Sequence, residues 1–199
     1  MASDVQICNL ALAHLGDTAN ISALDEGSSQ SEHCTRFYPI ALDALLEMHT
    51  WSFATKRASL ALFDVESYAW EFAYALPSDC VRVISVLENE STDDDAVQPY
   101  EIETTADGQD VLYTNVENAV IRYVSKVTDS GRFTPLFVDC LSRLLASYLA
   151  GPIIKGDSGV KMAQAMYGAF LRSLGFAASS DANQRKDDDT YEASWIGAR

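Results

Sequence analysis

The hydrophobic pattern of this chain changes period twice, and a segment with helical period cannot be refolded as a strand without exposing its apolar face. Up to residue 50 the apolar residues recur at three- and four-residue spacing. Ser3 with Gln6 forms a capping box ahead of Ile7, Cys8, Ala11, Leu12 and Leu15, and Gly16 offers a stop. A second box, Ser29 with Glu32, precedes Phe37, Ile40, Ala41, Ala44, Leu45 and Met48, with Pro39 expected to kink that helix.

From Trp51 the chain turns to extended runs rich in aromatic and β-branched residues: 53–62, 68–75, 81–87, 100–105, 111–114 and 119–127. Asp107-Gly108 reads as a turn between two of them. Helical period returns at Thr134, a cap followed by Pro135 at the first helical position, in a helix running to Gly151-Pro152. A fourth helix is expected from Asp157 or Ser158, with Met162, Ala165, Met166, Ala169, Phe170 and Leu174 apolar, fading near Ala178. Strands gathered between helices, not alternating with them, indicate α+β. The expected architecture is a four-helix bundle (residues 1–50 and 131–178), an inserted antiparallel β domain of five or six strands (51–130), and an extended C-terminal arm (179–199).

Charge and cysteine usage narrow the function. The 199 residues carry a formal charge of −15, from 14 Lys and Arg against 29 Asp and Glu, which argues against a broad phosphate-binding surface. Between Arg82 and Arg122 there is no cation at all, while Glu88, Glu90, Asp93, Asp94, Asp95, Glu101, Glu103, Asp107, Asp110 and Glu117 supply ten negative charges. Cys8, Cys34, Cys80 and Cys140 lack C-x-x-C spacing and sit among apolar residues, as reduced core cysteines in an intracellular protein would. No basic leader and no run of eighteen apolar residues suggests a membrane segment.

No set of residues with catalytic spacing stands out. His14, His33 and His49 lack metal-ligand spacing, and Gly151-x4-Gly156 places Asp157 where a phosphate loop needs lysine, so a helix–helix turn is expected there. The acidic triplets 93–95 and 187–189 lack the alternation and glycine of a calcium loop. A small enzyme built on dispersed carboxylates such as Asp79, Asp139 and Asp157 is the residual alternative. No catalytic residue, metal or cofactor is expected.

The stretch Leu46-Glu-Met-His-Thr-Trp51-Ser-Phe53-Ala54-Thr-Lys-Arg57-Ala58-Ser-Leu60-Ala61 resembles the tail tubular protein A family, the head-to-tail adaptors of short-tailed bacteriophages. The likeness runs in order along nearly the whole chain. It takes in Asn9-Leu10-Ala11-Leu12 with Leu15-Gly16, then Tyr74-Ala-Leu76-Pro77-Ser-Asp79-Cys80-Val-Arg82-Val83. It continues through Ile121-x-Tyr123, Thr128-Asp129 and Phe133-x-Pro135-x-Phe137 to the closing Ser194-Trp195-Ile196-x-Ala198-Arg199. Thr50 departs from the proline associated with the position before the tryptophan.

The resemblance implies a ring of about twelve subunits between portal protein and tail nozzle protein, closed by the rotational symmetry such assemblies use, with phage DNA passing through its lumen. It implies a virion protein assembled in the host bacterial cytoplasm, without catalysis and without a membrane. A head-completion or stopper protein of a longer-tailed phage is a neighbouring reading. The polar tail with its separated aromatics suits an arm that grips a partner, so Tyr191, Trp195 and Arg199 are the expected contact residues. Asp93, Asp94 and Asp95 are expected on a loop facing the channel or the nozzle. Trp51, Phe53 and Leu76 are expected in the core.

Overall fold

A computed structural model of the chain describes residues 2–65, 69–88 and 97–184. It is a mixed α+β structure with four helices and two antiparallel sheets. Helix α1 (Asp4–His14) opens on the expected Ser3–Gln6 box, both bonds of which are present. Helix α2 (Ser29–Met48) is capped one residue earlier than expected. Ser28 Oγ accepts from the Ser31 amide, and the Ser28 hydroxyl donates to Glu26, so the cap is held from outside the helix.

Helix α3 (Pro135–Ile154) begins under its Thr134 cap and passes through Gly151 and Pro152 to end two residues later than expected. Helix α4 (Gly156–Ala182) starts earlier and ends later than its sequence pattern suggests. Lys155 makes the corner, so α4 begins at once at Gly156; its far end does not fade at Ala178 because Ala177 and Asp181 continue the buried face. The segment that looked like a phosphate loop is this helix–helix corner.

Helices α1, α2 and α4 each pack on α3, which explains why α3 is so apolar. Among the described residues it alone is long and apolar enough to cross a membrane, and 56% of that window is buried within the protein, as in a central core helix.

Among the described residues between α2 and α3 lie seven strands: β1 (Thr55–Ser59), β2 (Ala61–Leu62), β3 (Phe72–Ala75), β4 (Cys80–Leu87), β5 (Tyr100–Thr104), β6 (Asp110–Thr114) and β7 (Val120–Ser125). The run expected as one strand over 53–62 instead divides. Residues Ser52–Ala54 form a 3-10 turn, and Leu60 then separates β1, which joins the sheet β1-β7-β4, from β2, which joins the sheet β2-β3-β6-β5. Tyr74 and Leu112 of the second sheet pack against Val83, Val86, Ile121 and Tyr123 of the first.

The first sheet is buried on both faces, since Val81, Ile84 and Val124 pack into the helical core. Val83 and Val86 are three apart, which in a regular strand would set them on opposite faces. An irregularity between Val83 and Ser85 puts both on the sandwich side and leaves Val81 and Ile84 for the helices.

Candidate functional site

Tyr191, Trp195 and Arg199, the expected contact residues, and Asp93, Asp94 and Asp95, the expected channel carboxylates, lie outside the described residues. The residues from which both segments depart are described. The tail departs from the last turn of α4. There Asp181, 8% exposed, accepts from the Ser52 amide at 2.9 Å and from the Ser52 hydroxyl at 2.7 Å. His49 Nε2 stands 3.5 Å from the same carboxylate, and Ser52 also meets Gln184 Oε1 at 3.3 Å. The end of α4 is thus fastened to the point where the helical part becomes the β part.

That point is an aromatic joint. Trp51 is buried and donates from its indole nitrogen to the Leu45 carbonyl at 2.8 Å, which ties it to the last turns of α2. Phe137 of α3 meets the rings of both Trp51 and Phe53 edge-on, with centroids 4.9 Å away in each case, and Phe133 lies 4.8 Å from Phe137. Phe53 is half-buried within this cluster and Leu76 is half-buried against the sandwich core. Thr50 has a role proline could not fill, because its hydroxyl accepts from Arg82 Nη2 at 2.9 Å.

The acidic stretch 89–96 follows Glu88, just past the end of β4, and precedes Val97. Gln98 bridges back to β4 through a 2.9 Å bond from its amide to the Val86 carbonyl, and its side chain donates to Glu88. A cleft of about 500 Å³ opens there, lined by Glu88, Gln98, Pro99, Thr114, Asn115 and Glu117. Both of its carboxylates are exposed. Such a cleft repels a polyanion only within the screening length, roughly 8 Å at physiological salt.

The dispersed carboxylates do not converge. Asp79 is held by Lys56 at 2.6 Å and by the Tyr123 hydroxyl at 3.0 Å; the Lys56 hydrogen bond keeps its carboxyl below the usual range. Asp139 sits in the first turns of α3, where burial raises its carboxyl but bonds from Arg143 and Ser173 outweigh that and hold it low. Asp157 is exposed at the start of α4, beyond the opposite end of α3 from Asp139, ~25 Å away along a helix rising 1.5 Å per residue. Among the described residues no group of three His, Cys, Asp or Glu is arranged to hold a metal ion.

The cysteines are free. Cys8, Cys34 and Cys140 are buried and Cys80 half-buried, and burial pushes the Cys80 and Cys140 thiols up to about 11. His14 is driven toward its neutral form by burial and by nearby Arg143, and its Nε2 lies 3.2 Å from Ser142 Oγ. These groups serve packing.

The sequence reading overlooked Asp181 and Ser52. The signal was present: Phe170, Ala177 and Asp181 stand at seven- and four-residue intervals on one face, so the carboxylate continues a buried stripe. No family model matches the sequence, and no curated protein matches it.

Proposed function

We propose that the chain is a bacteriophage head-to-tail adaptor: a structural ring protein that joins the portal to the tail nozzle and lines part of the DNA ejection channel. In this reading the four helices act as one bundle in the ring wall. The β part meets the nozzle layer, and the tail from residue 185 onward grips portal or neighbour through Tyr191, Trp195 and Arg199. DNA passes without specific binding, beside acidic surface. The protein belongs to the virion, is assembled in the bacterial cytoplasm, and catalyses nothing.

The observation that carries this reading is the meeting of the two stretches on which the resemblance chiefly rests, 46–61 and 74–83. Lys56 from the first and Asp79 from the second form a 2.6 Å ion pair, and Arg82 from the second bonds Thr50 of the first. Further support comes from Asp181, which fastens the start of the tail to that same joint, so an arm gripping a neighbour would be anchored in the body.

Purified particles from the producing lysate test the reading. Mass spectrometry with immunogold negative-stain microscopy should find the chain at the head–tail junction at about twelve copies per particle, the number the resemblance implies for a closed ring. Particles that lack the chain overturn the proposal, as does a location along a long tail tube.

A further inference from the structure

We propose that copies of this chain associate head to tail through the outer face of α4 on one copy and the acidic outer edge of β5 on the next. The inference rests on the ring reading and names the contact that would build the ring.

The inner side of α4 is accounted for by Gly159, Phe170, Ala177 and Asp181, all buried. Its outer side is unusual for a solvated helix, which normally turns polar residues to water. Val160, Tyr167 and Leu171 are 58%, 43% and 49% exposed and, at ~100° per residue, fall within about 40° of one another. Phe176, 74% exposed, lies on the far flank of the same outer surface. Between them stand Lys161 and Arg172, within about 20° of each other.

From Ser158 to Ser180 there is no Asp or Glu, in a chain that has 29. Lys56, Lys126 and Arg143 each sit on a carboxylate, whereas Lys161 and Arg172 form no ion pair with any described residue. An apolar stripe with two cations that no described residue pairs calls for an apolar, anionic counterpart.

The chain carries one. Strand β5 is the outermost strand of its sheet, with no neighbour on its outer side among the described residues. Glu101 and Glu103 are exposed on the face they share with Tyr113 and Val111, and Ile102 on the opposite face with Leu112, so carboxylates flank the open edge of the strand on one side and an apolar residue on the other; Val97 is exposed just before it. Pairing like with like is disfavoured at both surfaces: two α4 faces would oppose cations, and two β5 edges would oppose carboxylates. Only the unlike pairing matches charge to charge and apolar residue to apolar residue.

An unlike pairing is heterologous, so it propagates from copy to copy and closes into a ring when the rotation allows. The α4 stripe spans ~24 Å by ~10 Å, well short of the ~800 Å² per partner of a stable pair. The contact is therefore weak between two free copies and effective where every copy makes it twice.

Cross-linking of full-length chains tests this at high protein concentration. Leu171→Cys and Ile102→Cys variants are mixed with a short bis-maleimide, with the unmodified chain as background. The expected result is a 102–171 product about tenfold above either like-with-like product, fading as salt rises from about 0.05 M to 0.5 M. Adding K161E/R172E to the Leu171→Cys chain should suppress the product, and E101K/E103K on the Ile102→Cys chain should restore it. Glu101 accepts from Trp70 Nε1 at 3.0 Å, so E103K alone, which spares that bond, serves as a second rescue and should restore the product in part. Like-with-like products in equal or greater yield, or a product indifferent to charge reversal, overturn the inference. If that happens while the chain is found in particles, the interface falls and the adaptor reading stands; cross-linking as expected with particles that lack the chain keeps the contact and removes the adaptor reading.

Discussion

Trp51 touches both halves of the molecule, and its removal should be felt in both. Trp51→Ala leaves a cavity bordered by Phe137 and Phe53 and frees the Leu45 carbonyl, so a loss of about 3–5 kcal/mol is expected in urea unfolding. Asp79 offers a pH test. Its carboxyl is held low chiefly by the Lys56 hydrogen bond, so the stability it contributes is present above the ordinary carboxylate range and is lost as pH falls through its lowered folded value. Lys56→Ala should therefore flatten the decline in urea midpoint between about pH 5 and pH 2; a decline as steep as that of the unaltered chain would refute the assignment. Trp51 was legible in the sequence as an aromatic at a change of period. Asp79 stood out in the sequence as a candidate carboxylate, but its pairing with Lys56 and Tyr123 did not, because those partners come from 23 and 44 residues away.

At the scale of elements, periodicity located every helix and the strand-bearing runs, while their ends followed local chemistry that periodicity does not encode. The corner between α3 and α4 is an example. Lys155 has φ 61° and ψ 163°, a combination that side chains with a Cβ rarely adopt. Lys155→Gly should thus stabilise the fold by about 1 kcal/mol, seen as a raised Tm in calorimetry. The division of β1 from β2 at Leu60 was hidden for a different reason: a strand that changes sheets keeps its alternation, and only pairing partners reveal the step. The irregularity in β4 was equally silent, since an unbroken apolar run such as Val81 to Leu87 does not say which face each residue takes.

Over the whole molecule, the helical part and the first sheet share one core, because Val81, Ile84 and Val124 of that sheet enter the helical cluster. Among the described residues that cluster ends along the chain at Ala177, so a chain lacking 191–199 should keep its Tm within about 1 °C and unfold in one transition, while on the adaptor reading particles assembled from it should lose attachment. A truncated chain that fails to fold would place those residues in the core. The bonds of Asp181 and Gln184 to Ser52 bear on mechanics. A helix pulled from a loose end peels, surrendering one backbone bond at a time. A helix pinned just before that end passes tension into its mooring, so a pull on the C-terminal segment loads Ser52 and the Trp51 cluster in shear before any turn of α4 unwinds.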